Sequence, residues 1–117
     1  MKKKLLTFCF LIFLFSCEAI FVEDISDRNV FLLAPTNNSE VANGAILFNW
    51  NSVEDTDSYQ IQIAIPDFQN ASQILLDSIT TNTSITKELE IGEYQWRVKA
   101  MNSDYETPYS TSSFSVN

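Results

Sequence analysis

Beyond Val30, apolar and polar residues alternate with a period of two along most of the chain, and turn-forming residues break the alternation at short intervals. Such a pattern predicts strands with one face buried and one solvated. Ile46, Phe48 and Trp50 fall on one face while Leu47 and Asn49 fall on the other. Tyr59, Ile61, Ile63 and Ile65 alternate with Gln60, Gln62 and Ala64 until Pro66, which has no N–H for a ladder and ends the run. The clearest half-buried strand sets Tyr94, Trp96, Val98 and Ala100 against Gln95, Arg97, Lys99 and Met101. Residues 74–79 and 83–89 give two weaker strands, and Phe114 and Val116 mark a last one. A first strand over 31–34 stops at Pro35 and the polar cluster Thr36-Asn37-Asn38-Ser39. No segment has a helical period. Seven short strands at regular spacing predict an all-β, seven-stranded antiparallel β-sandwich over residues 30–117, as one domain.

The start of the chain follows another rule. Lys2, Lys3 and Lys4 precede an apolar run over 5–15 interrupted only by Thr7 and Cys9, and Ser16 and Cys17 follow. A positive flank, a short apolar run and a small residue before a cut describe an export signal. The run falls short of the roughly 20 residues that a spanning helix needs, which argues for an address rather than a permanent membrane span.

Leu14-Phe15-Ser16-Cys17 resembles the lipobox of bacterial lipoproteins, with Phe15 as the departure from its pattern. The resemblance implies a cut before Cys17, a diacylglycerol on its sulfur and acylation of the new amino group. A thioether to lipid requires a sulfur nucleophile. One acyl chain binds a membrane marginally, at about 0.8 kcal/mol per buried CH₂, so two or three chains make the anchor lasting. The alternative is that Cys17 is an ordinary residue just past a conventional cut. Residues 1–16 are thus read as a lipoprotein signal peptide and 17–29 as a lipidated acidic tether carrying Glu18, Glu23, Asp24 and Asp27. In some lipoproteins of Bacteroidota type, acidic residues after the cysteine direct export to the surface; a solvated linker accounts for the same residues.

Loss of residues 1–16 leaves four basic residues against all fifteen acidic ones, a formal net charge of −11. A surface of that sign repels nucleic acid and anionic lipid headgroups, so membrane attachment falls to the lipid. Cys9 leaves with the signal, and the mature chain can form no internal disulfide. Stability must come from the core, to which eleven aromatic residues remain available.

From Val30 to Asn117 the chain resembles a fibronectin type III domain, immunoglobulin-like in architecture and of the form common in Bacteroidota lipoproteins. The resemblance rests on LLAPTN at the first strand, FNW in the second, DSYQIQIA in the third, LEIGEYQWRVKAMNS through the sixth and YSTSSFSV closing the seventh. It implies that Trp50 is the core tryptophan of the second strand. It also implies that Tyr94, shortly after Leu89 and Gly92, is a tyrosine corner whose hydroxyl ties the sixth strand to the preceding turn. The stretch between Leu89 and Tyr94 is a residue shorter than in many animal members.

The chain has no histidine, and its two glycines are Gly44 and Gly92. A histidine-based triad, a histidine or cysteine zinc site and a glycine-rich phosphate loop are therefore ruled out, and no cofactor or catalytic role is expected. Glu54, Asp55 and Asp57 between the second and third strands offer oxygen ligands for a hard cation, but lack the spacing of a calcium loop; a solvated acidic loop is the alternative. Between the sixth and seventh strands, Tyr105 and Tyr109 flank Thr107-Pro108. Tyr105, Pro108 and Tyr109 are candidate contacts for a sugar ring or a partner protein, since tyrosine joins an apolar face to a polar tip. Alternatively, one tyrosine covers the sheet edge and the other packs on the third strand. Asp77-Ser78-Ile79 resembles the O-glycosylation motif of Bacteroidota and makes Ser78 a candidate modification site. The sequence thus points to an outer-membrane lipoprotein of the bacterial envelope, periplasmic or surface-facing, anchored at Cys17. Its domain is expected to dock to an envelope protein or a surface glycan, or to act as a passive spacer.

Overall fold

The computed structural model describes residues 21–117. Eight strands form two packed sheets: β1 (Leu32–Ala34), β2 (Ser39–Val41), β3 (Gly44–Trp50), β4 (Ser58–Ile65), β5 (Gln73–Thr80), β6 (Ser84–Leu89), β7 (Gly92–Met101) and β8 (Ser110–Val116). One sheet has the order β1-β3-β6 and the other the order β2-β8-β7-β4-β5. The expected sandwich is present, with two corrections: there are eight strands rather than seven, and the larger sheet is mixed rather than purely antiparallel.

Both corrections arise where the first strand was expected to stop. After Pro35 the chain turns through Thr36–Ser39, with Ser39 N–H donating to the Thr36 carbonyl at 3.1 Å and Asn38 in the left-handed region at φ 64°. It then crosses to the other sheet, where β2 pairs in parallel with β8, Ser39 opposite Phe114 and Val41 opposite Val116. The Asn37 side chain accepts from Ser113 N–H at 2.8 Å and fixes the crossing. Asparagine tolerates the left-handed conformation, so the polar cluster serves as a corner, not an end.

The inner faces match the period-two pattern. Ile46, Phe48 and Trp50 from the smaller sheet meet Tyr59, Ile61, Ile63, Tyr94, Trp96, Val98, Ala100, Phe114 and Val116 from the larger, all buried. Phe48 sits edge-on to Trp96 at 5.1 Å and to Phe114 at 5.7 Å, and Tyr94 stacks on Phe114 at 5.5 Å. Edge and offset contacts suit the ring quadrupoles and add about 0.5–1.5 kcal/mol each beyond area burial. Trp96 Nε1 donates to the Pro35 carbonyl at 3.1 Å, which ties the corner between β1 and β2 into the core.

The tether also behaves differently from its reading as a linker over its whole length. Ile25 is fully buried and belongs to the core cluster, so close packing begins before Val30. The chain turns here with Arg28 N–H donating to the Ile25 carbonyl at 3.0 Å. Asp24 accepts from both the hydroxyl and the N–H of Ser26, which holds its carboxyl below the usual range.

Tyr94 occupies the corner that the resemblance implied, its hydroxyl donating to the Glu90 carbonyl at 2.7 Å. The shorter approach from Leu89 therefore still closes. Burial raises the Tyr94 hydroxyl above its ordinary value near 10, with the Glu90 charge adding to the rise. An unfolded chain would lose this proton first, so stability is intact below that ordinary value and declines as pH climbs through it toward the raised one. Tyr94→Phe is expected to cost about 1 kcal/mol at neutral pH through the lost bond. Denaturant titrations between pH 7 and 11 should show that it also removes this residue's share of the alkaline decline.

Candidate functional site

Alternation along β7 turns Gln95, Arg97 and Lys99 to the outer face of the larger sheet. Register places Arg97 beside Gln62 and Lys99 beside Gln60 of β4. The Gln62 side chain accepts from Arg97 Nε at 2.8 Å, orienting the guanidinium. Phe68, from the loop between β4 and β5, lies 4.0 Å from that guanidinium, and the ring of Tyr109 lies 4.2 Å from it. Lys99 Nζ stands 5.0 Å from the Tyr109 ring and 3.0 Å from Glu106 Oε1. Two of the four basic residues after residue 16 are thus gathered on one face and held against aromatic rings. Each cation–π contact at such a site contributes about 0.5–1 kcal/mol, and the partly exposed ion pair less.

The loop carrying the candidate tyrosines is well anchored. Asn102 accepts from the N–H groups of Asp104 and Tyr105 at 3.1 and 2.8 Å, closing a tight turn. Thr107 is buried, its hydroxyl accepting from Ala100 N–H at 3.0 Å and its own N–H donating to the Ala100 carbonyl at 2.9 Å. Tyr105 and Pro108 remain exposed, whereas Tyr109 is half-buried over the cations of β7 rather than over the third predicted strand, β4.

At the same end of the sandwich, Asp55 pairs with Arg28 at 3.1 Å, and Arg28 also donates to the Glu54 carbonyl at 2.6 Å. Asn102 Nδ2 donates to the carbonyls of Glu23 and Asp55 at 2.9 and 3.1 Å. These bonds stitch the N-terminal segment, the acidic loop and the tyrosine loop together. Among the described residues no three His, Cys, Asp or Glu side chains converge in a metal-ligand group. Ser78 is half-buried on β5 opposite Ile61, on the inward-facing side of the strand. Cys17 lies outside the described residues.

Of this face the sequence pattern marked only Tyr109 as a site residue; Phe68, Arg97 and Lys99 were not singled out. Arg97 was legible as an outward position on its strand. Phe68 sits in a loop without period, and its position follows from a contact remote in sequence: its N–H donates to Gln95 Oε1 at 3.0 Å.

No family model matches the chain, and no curated protein matches it in sequence. Solved structures do match in fold. The fibronectin(III)-like modules of Clostridium thermocellum CbhA align over 75% of this chain and 95% of theirs, with a TM-score of 0.54 and 12% identity. The fibronectin type III domain derived from human KIAA0970 protein aligns over 75% of this chain and 72% of its own, with a TM-score of 0.55 and 12% identity. CopC from Methylosinus trichosporium OB3b aligns over 76% of this chain and 94% of its own, with a TM-score of 0.51 and 17% identity. The described domain is therefore an all-β sandwich of fibronectin type III-like fold. At these identities the likeness concerns fold alone.

Proposed function

We propose that the chain is a lipoprotein of the bacterial outer membrane, anchored through Cys17, whose domain is a binding module and not a catalyst. In this reading it is an accessory subunit that docks to another envelope protein or to surface glycan. The observation that carries the reading is the set of large apolar side chains the fold leaves in water on its outer faces: Ile79, 65% exposed, and Ile74, 47%, on β5 of the larger sheet, and Leu47, 54%, on β3 of the smaller. The pair on β5 lies on one strand at the border of its sheet, where a partner that covered both would remove their apolar area from water. Tyr105 and Pro108 add exposed contacts at one end, and Tyr109 extends them onto the Arg97 face.

The double substitution Tyr105→Ala and Tyr109→Ala tests which surface docks. Co-purification from detergent-solubilised envelopes should lose its partner severalfold while near-ultraviolet circular dichroism and the unfolding midpoint show the fold retained. Undiminished recovery would take this loop out of the docking surface. Ser78 remains a proposed glycosylation site, and an unshifted mass of the mature protein from its host would remove it.

A further inference from the structure

Among the described residues four strands border the sheets, β1 and β6 in the smaller and β2 and β5 in the larger. Sheet borders offer unpaired main-chain groups, and proteins guard them with short strands, irregular register, prolines or inward-pointing charges. β1 has three residues and an irregular register, and β2 has three residues with Glu40 at its centre. β6 places Lys87 opposite the core residue Ile46, so an ammonium group stands on its inward-facing side. β5 differs. It runs for eight residues, contains neither proline nor lysine, and carries a single charge, Asp77, on the outward side opposite Gln62. Its one irregularity is the extra residue Leu75 near the N-terminal end, after which Leu76 to Thr80 pair regularly with β4.

Beside β5, the gap between the borders of the two sheets forms an open groove of about 330 Å³. Its lining is mixed: Leu75, Ile65, Leu89, Ile91 and Tyr94 supply the apolar part, and Gln73, Lys87, Glu88 and Glu90 the polar part. Ile91 is 71% exposed there. A strand laid along β5 would direct alternate side chains to the inner side, where those beside Gln73 and Leu75 reach this groove, and the others toward the outer face, beside Asp77.

We propose that β5 is a strand-acceptor edge for an extended segment of a partner protein in which apolar residues alternate with lysine or arginine. The inference rests on the docking reading and assigns it an edge and a ligand chemistry. The apolar residues enter the groove, the basic ones meet Asp77 and the acidic surface, and main-chain bonds to β5 supply affinity. A second copy of this chain is a poor occupant, because it would bring another Asp77 and another eleven net negative charges to the same border.

Amide hydrogen exchange on the full-length lipidated protein in detergent tests this directly. The probe is a synthetic ten-residue peptide alternating valine and lysine, and the control has the same sequence with two valines replaced by proline, which cannot sustain a ladder. The expected result is a slowing of exchange of about tenfold within Gln73–Thr80, produced by the first peptide and absent with the second. Ser78→Lys, which places on β5 the guard that β6 already has, should abolish the slowing. Ile79→Lys, at an exposed outward position that the fold does not need, should weaken it as well. Equal slowing by both peptides, slowing in β6 instead, no slowing, or slowing without peptide that grows with protein concentration would each overturn the proposal. If an envelope partner is captured on cells while the β5 amides stay unprotected by the probe, strand addition falls and the docking reading stands.

Discussion

Trp96→Ala is expected to leave little of the domain folded at room temperature. The indole is fully buried, 5.1 Å from the Phe48 ring and 6.3 Å from Trp50, at the contact between the two sheets. Truncating a buried tryptophan costs about 3–5 kcal/mol in lost transfer energy and residual cavity. The same substitution strands the Pro35 carbonyl, which Trp96 Nε1 now satisfies at 3.1 Å, at a further cost of about 1–3 kcal/mol. A domain of this size holds about 5–15 kcal/mol in all, and residues 21–117 contain no cysteine whose disulfide could compensate. Denaturant unfolding should show a lost or drastically shifted transition, whereas Trp96→Phe, which keeps most of the apolar area, should retain a cooperative one. A Trp96→Ala midpoint close to that of the parent would mean that the two sheets do not meet through this ring.

Cys17→Ser carries the other large expected effect, on location and not on folding. Serine has no sulfur to form the thioether, so fatty-acid label should vanish from the protein and the form processed at residue 16 should disappear with it. The energetic scale is set by chain number: one chain at about 0.8 kcal/mol per buried CH₂ is marginal, and two or three make release negligible. If residues 1–16 are removed, as proposed, the remaining chain carries a formal net charge of −11, which an anionic bilayer repels. Outer-membrane fractions should therefore lose the protein, while the domain's unfolding midpoint stays unchanged. Retained fatty-acid label in the variant would place the lipid elsewhere or remove it from the account.

The strands most legible in the sequence, β3, β4 and β7, share one property: each turns alternate large apolar residues toward the core. The run of Tyr94, Trp96, Val98 and Ala100 is the plainest case, and every member is buried. β2 was invisible because Ser39-Glu40-Val41 offers one apolar residue and no alternation to read. Its parallel pairing with β8 depends on the corner at Pro35 to Asn38, and strand order is not carried by periodicity. Ile25 was hidden in the same way, a single apolar anchor in an acidic stretch whose burial depends on where the neighbouring loops lie. The face built around Arg97 needed three dimensions, since Phe68 and Tyr109 approach it from different loops. The guard on β6 and its lack on β5 could be read only after register had assigned Lys87 to the inner side.

The most direct test of the central claim is cross-linking on intact host cells with a membrane-impermeant reagent, read by mass spectrometry of the wild-type protein and the Cys17→Ser variant. The account predicts a reproducible adduct with one envelope protein or glycan, formed on intact cells or after outer-membrane permeabilisation according to the side the domain faces, and lost with Cys17→Ser. Wild-type protein that forms no adduct in either condition would contradict the docking module and leave a passive spacer.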